Sequence, residues 1–178
     1  MPESRFLIVP PLALEEIAAY HDDSVASLKL YFSPRAPDFP IRFAGQPFTA
    51  VENQLSQRIA ESQLRSTFTL LTRLEASFRV DFDSRCRRRL KDDLSRYFRE
   101  IEKRQGDKVR LDDDILEGWR LHSSIYPRPL IGQIRSAFKF RHWLAHGRYW
   151  TPKVGRNFDF NFVYTMVTAI VTSFPFES

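Results

Sequence analysis

The stretch from Phe48 to Phe82 constrains the fold more than any other part of the chain. It contains neither proline nor glycine, and its apolar residues recur at the three- and four-residue spacing of one helix face. Thr49, with Glu52 three residues later, matches the capping-box spacing at the start of a helix. We therefore predict one long helix here, whose apolar side must pack against other helices.

A charged residue lies in the middle of this apolar side. The second half of the predicted helix places five large apolar residues on one face, namely Leu64, Phe68, Leu71, Phe78 and Phe82. Glu75 falls at the centre of the same face. A carboxylate buried there would need a cationic partner, because burying an unpaired charge is costly.

A later helix repeats this pattern with the opposite charge. The stretch Ile131 to Trp150 predicts a helix with one apolar face, formed by Ile134, Ala137, Phe138, Leu144 and Ala145. Arg141 lies in the middle of that face, and Gly147 suits the left-handed residue that ends a helix. Arg141 either extends past the face to water or pairs inside the protein. Because packed helices lie about 8–10 Å apart, we predict that Arg141 contacts Glu75.

The rest of the chain is also predicted to be mainly helical. We expect a first helix at 12–31, an extended connection or short edge strand at 33–47, and further helices at 84–104, 112–122 and 158–174. The last of these also alternates like a strand, but its length without a turn residue favours a helix. His21 is interpreted as a core histidine. The predicted fold is all-α, an up-and-down bundle of four core helices with N-terminal and short accessory helices.

Length and composition favour one domain. With 178 residues, 43% of them hydrophobic, the chain can bury one core of ordinary size. We divide it into an N-terminal extension, 1–47, packed on a bundle formed by 48–178. A single cysteine, Cys86, excludes an internal disulfide or a multi-cysteine metal site. No long apolar segment is present, so we expect a cytoplasmic protein with no membrane partner.

The charge balance favours anionic partners. The chain has 27 Lys and Arg against 22 Asp and Glu, a formal charge of +5. Its densest basic run consists of Arg85, Arg87, Arg88, Arg89 and Lys91. Such a run is either a solvated helix face or a contact for a nucleic-acid backbone, and the sequence leaves both interpretations open.

The segment from Arg141 to His146, RHWLAH, resembles the motif of the HEPN superfamily. That motif consists of an arginine, usually followed by a polar residue, and then a histidine. Four to six residues separate the arginine from the histidine. The upstream run LLTRLEASF, which contains Glu75, is similar to an acidic helix common in the family. The resemblance covers roughly 48–174. The chain departs from the usual pattern at His142, where asparagine or aspartate is frequent, and at Tyr149, one residue later than in some toxin branches.

The resemblance implies a fold, an activity and partners. HEPN proteins are four-helix bundles that commonly dimerise, bringing two motifs together, and many are metal-independent endoribonucleases of toxin–antitoxin or phage-defence systems. Others only bind RNA or nucleotides. We therefore expect RNA as substrate, a homodimer, no cofactor or metal, and an antitoxin or nucleotidyltransferase as a further partner. Some apolar residues of this stretch do not lie on the helix face that contains Arg141, among them Phe140, Trp143 and Trp150. Either a second copy of the protein or the chain's own helices must cover them.

The resemblance also implies roles for individual residues. Cleavage of RNA without metal requires attack of a 2′-hydroxyl on phosphorus, with a group that moves protons and a cation for the developing charge. His146 and Arg141 would supply these, Glu75 would orient Arg141, and His142 would be a second acid or base or a phosphate ligand. The expected RNA-binding residues are Arg148, Tyr149, Arg87, Arg88 and Lys91.

Two alternatives remain open. His142 and His146, one helical turn apart, could bind a metal ion, although no third ligand is evident nearby. The protein could also be a binding or scaffold module, in which the charges on the apolar faces are structural.

Overall fold

The computed structural model describes residues 12–123, 128–151, 155 and 157–177. These residues form seven α-helices and no strand, so the predicted all-α class is confirmed. The helices are α1 (Leu14–Tyr31), α2 (Phe39–Arg42), α3 (Phe48–Arg88), α4 (Asp93–Gln105), α5 (Glu117–His122), α6 (Arg128–Ala145) and α7 (Phe160–Ser173). A 3-10 turn at Gly106–Lys108 and a π-helical turn at Leu111–Leu116 join α4 to α5.

The long helix α3 is the centre of the fold. Its 41 residues extend about 60 Å at 1.5 Å per residue. Helix α6 runs antiparallel to it, because Phe138 packs on Phe78 whereas Arg148, further along the chain, contacts Glu61. Helix α7 runs parallel to α3 and ends with Phe174 against Phe78.

Helices α1 and α4 cover the two ends of α3. In α1, His21 lies beside Ser66, whereas the α1 C-cap residue Phe32 shares a small cluster with Val51, so α1 is antiparallel to α3. The aromatic ring of Phe98 on α4 lies 5.0 Å from that of Phe82. The up-and-down arrangement around α3 results from these contacts.

Phe78 is the centre of the main core. Its side chain is fully buried, and four aromatic rings pack edge-on against it at 5.0–6.3 Å: Trp119, Phe138, Phe174 and Phe176. Edge-to-face packing brings the positive ring edge to the negative ring face, which adds to the burial energy. This aromatic cluster holds α5, α6 and the C-terminal segment against α3.

Several predicted boundaries are wrong. The long helix continues to Arg88 instead of ending at Phe82, and it ends because Arg89 takes a left-handed conformation with φ of 51°. The next helix starts at Asp93, where the Asp92 carboxylate accepts a hydrogen bond from the Ser95 N–H, so it does not start at Ser84.

The N-terminal part also differs from the prediction. Pro47, not Thr49, is the residue before the first turn of α3, and it provides no side-chain cap. The connection at 33–47 contains the short helix α2, with Pro40 in its first turn, so it is neither fully extended nor an edge strand. The connection between the helices predicted at 131–150 and 158–174 lies largely outside the described residues.

His21 is a core residue, as predicted. Its ring stacks on Phe160 with 3.7 Å between centroids, and its Nδ1 lies 3.2 Å from the Ser66 hydroxyl. Burial lowers the pKa of His21, and the nearby Asp22 opposes this shift in part. Among the described helices, none has the length and apolarity needed to cross a membrane.

Candidate active site

The candidate site is the C-terminal end of α6 and the turn that follows. Gly147 and Arg148 have φ angles of 81° and 58°, and the Arg148 N–H donates to the carbonyl of Trp143. Gly147 ends the helix as the sequence predicts, whereas the left-handed conformation of Arg148 was not predicted. The Trp143 indole N–H donates to the Trp150 carbonyl, which holds the following turn against the helix.

Glu75 and Arg141 form the predicted contact. Arg141 Nη2 lies 3.1 Å from Glu75 Oε2, and the side chains are 29% and 14% exposed. The other carboxylate oxygen of Glu75 accepts a hydrogen bond from Arg79 Nε at 2.8 Å. The guanidinium carbon of Arg141 also lies 5.7 Å from the ring centre of Phe68. The pair is therefore held in a fixed orientation at a half-buried position.

We expect the Glu75–Arg141 pair to contribute a measurable coupling energy. A double-mutant cycle with Glu75→Gln and Arg141→Met should give about 1–2 kcal/mol, between the values for exposed and buried pairs, because both groups retain some solvent contact. Urea denaturation of the four proteins measures it. Arg79→Met is the matched control, since it removes the other, more exposed guanidinium on Glu75. Additive effects of the two substitutions would contradict a direct interaction.

Two exposed imidazole rings lie together on the last turn of α6. The ring centroids of His142 and His146 are 4.1 Å apart, with 47° between their planes. They lie one helical turn apart on the same side of the helix. Trp150 lies beside them, with its ring 6.3 Å from that of His142. The structure thus pairs His146 with His142, and it pairs Arg141 with Glu75 on α3.

Arg148 and Tyr149 follow the motif and differ in their surroundings. Arg148 makes two hydrogen bonds to Glu61, with Nη1–Oε2 of 2.7 Å and Nη2–Oε1 of 3.3 Å. The hydrogen bond from Arg148, with a smaller effect of Arg65, lowers the pKa of Glu61 below its ordinary value. Tyr149 is 83% exposed and makes an edge contact with Trp150.

The other predicted RNA-binding residues lie at the far end of α3. Arg87 pairs with Asp83, Arg88 pairs with Glu177 at 2.8 Å, and Lys91 is exposed in the turn before α4. About 39 Å of helix separates Glu61, beside the motif, from Arg87. Within one protomer the structure does not bring this basic group and the two histidines together.

Arg85 is the residue that the sequence analysis misplaced. It belongs to the basic run by sequence, but its side chain is buried beside Asp81 with a 2.8 Å hydrogen bond. A signal was available, because position 85 lies on the same helix face as Phe78 and Phe82. Arg85 is therefore part of the core and not of a nucleic-acid surface.

Within the described ranges, no group of three or more His, Cys, Asp or Glu side chains is arranged to hold a metal ion. The pair His142 and His146 thus lacks a third described ligand.

No protein-family model, no curated protein and no solved structure matches this chain. A role for these residues therefore depends on their geometry and chemistry.

Proposed function

We propose that this protein is a metal-independent endoribonuclease of the HEPN type. The observation that carries the proposal is the pair of exposed imidazoles, His142 and His146, 4.1 Å apart on a helix that also holds Arg141. Attack of a 2′-hydroxyl on phosphorus needs one group to accept the hydroxyl proton and another to protonate the leaving 5′-oxygen. Two adjacent imidazoles can serve both steps.

In this mechanism each residue has one task. His146 accepts the proton of the 2′-hydroxyl and His142 protonates the leaving oxygen. Arg141 binds a phosphate oxygen through Nη1 as negative charge develops, since Glu75 occupies Nη2 and Nε is buried. Glu75 and Phe68 orient Arg141 and do not touch the RNA.

We further propose a homodimer in which two copies of this helix end face each other. Phe140 stacks on Phe158 of the same chain at 5.3 Å, and Trp143 stacks on Phe140. The apolar residues of α6 that lie off the Arg141 face are therefore covered in part by the chain itself. Tyr149 and Trp150 keep 83% and 36% of their surface exposed. These two rings are the apolar surface for a second protomer. The setting we propose is toxin–antitoxin or phage defence in the cytoplasm, with an antitoxin or nucleotidyltransferase partner.

The test is cleavage of labelled single-stranded RNA in excess EDTA. We expect products with 2′,3′-cyclic phosphate and 5′-hydroxyl ends, and no cleavage of DNA of the same sequence, because DNA lacks the nucleophile. RNA with a single 2′-O-methyl group at the cleaved position should be resistant at that position. Cleavage of DNA, or loss of activity when metal is removed, would show that the mechanism is wrong.

A second candidate is an RNA-binding module without catalysis. The observation that favours it is that both arginines near the end of α6 already pair with acids of α3, Arg141 with Glu75 and Arg148 with Glu61. Such pairs hold two helices together whether or not RNA is present. This candidate predicts that the protein binds the same RNA and releases it intact, so product analysis distinguishes the two functions.

A further inference from the structure

Helices α1 and α3 enclose a polar groove between two apolar clusters. At one end of their contact Ile17 belongs to the main core, and at the other Phe32 and Val51 form the smaller cluster. Between these clusters short polar side chains and arginines face each other across a groove of about 520 Å³. We call it the serine groove, formed by Ser24, Ser27, Ser62, Ser66, Arg58 and Arg65.

The serine groove adjoins a second groove at the C-terminal end of α6. A smaller groove of about 260 Å³ shares Glu61 and Arg65 with it and is bounded by Leu144 and Arg148 at the end of α6. Arg148 lies two residues after His146 in the chain. The two grooves thus adjoin at Glu61 and Arg65, and together they extend from the turn after α6 to the middle of α1.

The charge of the two adjoining grooves is positive. Their charged lining consists of three arginines, Arg58, Arg65 and Arg148, and one acid, Glu61. Glu61 accepts hydrogen bonds from both Arg148 and Arg65. Arg65 nevertheless remains 79% exposed, and Arg58 has no ion-pair partner among the described residues. Both can contact phosphate groups that enter the groove.

The chemistry of the groove suits an RNA strand better than a protein partner. Serine hydroxyls and arginines donate hydrogen bonds to phosphate oxygens. Tyr31 lines the same groove with 49% of its surface exposed, and Arg42 lies over one face of its ring, so the ring is oriented for stacking on a base. Protein interfaces, in contrast, are depleted in serine and glutamate.

We propose that the serine groove binds the single-stranded RNA next to the scissile phosphate, so that α1 forms part of the substrate site. Arg58 and Arg65 contact backbone phosphates, Ser27 and Ser62 add hydrogen bonds, and Tyr31 stacks on a base. The identity of the ligand as RNA rests on the proposed function, whereas occupancy of the groove can be measured without cleavage. The N-terminal extension 1–47 thereby has a role in substrate binding.

The experiment is RNA binding in a His146→Ala background, which keeps the oligonucleotide intact. Binding of a labelled single-stranded RNA is measured by fluorescence anisotropy for this protein. The same measurement is made for three variants of it, which add Arg58→Ala, both Arg58→Ala and Arg65→Ala, or Ser27→Phe. We expect the double arginine substitution to weaken binding about tenfold. It should also reduce the slope of the logarithm of the binding constant against the logarithm of the salt concentration by roughly 0.7 for each lost phosphate contact. Ser27→Phe should weaken binding by filling the groove and leave the salt dependence unchanged.

Arg96→Ala is the matched control, because Arg96 on α4 is 62% exposed and lies outside the groove. It should change the affinity less than twofold, and thermal melting checks that each variant is folded. If RNA binds and the groove substitutions behave like Arg96→Ala, the groove proposal is overturned while the ribonuclease proposal stands. Groove-dependent binding by a wild-type protein that cleaves no RNA supports the groove and contradicts catalysis. If a groove substitution changes the mass of the protein in light scattering but leaves its RNA affinity unaltered, the groove is a protein interface instead.

Discussion

Replacement of His146 by alanine is expected to lower the rate of RNA cleavage by about 10²–10⁴-fold, the range typical of a general acid or base. His142→Ala should fall in the same range, because the two rings lie 4.1 Å apart and share the proton transfers of one reaction. The double substitution should be little slower than either single one, since residues that act as a unit are not additive. Single-turnover rates at saturating RNA in EDTA measure the chemical step.

Two further variants make this result interpretable. His122 is another exposed histidine, which lies against Tyr97 on a different part of the surface, and His122→Ala should leave the rate within twofold. Arg141→Lys keeps the charge but loses the planar fork, so it should be nearly as damaging as Arg141→Ala. His146 is exposed, so its loss should not alter the melting temperature. A His146→Ala protein that cleaves at the wild-type rate would contradict the role of His146 in proton transfer, and wild-type protein that binds RNA without cleaving it would leave only the binding module.

The sequence was sufficient to predict the central helix pair. Spacing alone located α3 and α6, because apolar residues on one helix face must be buried against a partner. One acid and one base on those faces then predicted the contact between Glu75 and Arg141, since a charge at such a position is stable only with a partner. The 3.1 Å distance confirms this contact.

The end of α3 could not be predicted from local signals. Neither glycine nor proline marks it, and Arg89 takes a conformation that glycine usually occupies. The break depends on tertiary contacts of Arg85, whose partners include Ser95 on α4 and the Pro175 carbonyl, 90 residues away in the chain. Spacing within one helix carries no information on such contacts.

Pairings between distant residues also limited the prediction of the site. The contact of Arg148 with Glu61 joins positions 87 residues apart, and that of Arg88 with Glu177 joins positions 89 apart. A basic run in a sequence indicates charge but not the direction in which the helix presents it. The register between α1 and α3, which leaves the serine groove open, is likewise set only when the whole bundle forms.

Replacement of Arg85 by methionine is expected to destabilise the fold by about 3–5 kcal/mol at pH 7. Arg85 is 5% exposed, and its guanidinium donates to Asp81 Oδ1 at 2.8 Å and to the Pro175 carbonyl at 2.7 Å. Methionine fills similar volume but leaves the fully buried Asp81 carboxylate without its cation. Urea denaturation measures the loss. Arg87→Met is the control, because the pair of Arg87 with Asp83 is partly exposed and should contribute less than about 1 kcal/mol.

The pH dependence of this loss tests its cause. Burial raises the pKa of Asp81 to about 6 from its ordinary 3.8, although the Glu177 N–H and Arg85 both act to lower it. Between pH 4 and 6 the folded state therefore binds more protons than the unfolded state, and the contribution of Asp81 to stability increases as pH falls. Without Arg85 the pKa of Asp81 rises further, so the deficit of Arg85→Met should shrink between pH 7 and pH 5. Adding Asp81→Asn should recover much of the loss at pH 7, because the double variant contains no buried unpaired charge. A deficit that is independent of pH and unchanged by Asp81→Asn would mean that lost packing, and not the unpaired carboxylate, destabilises the protein.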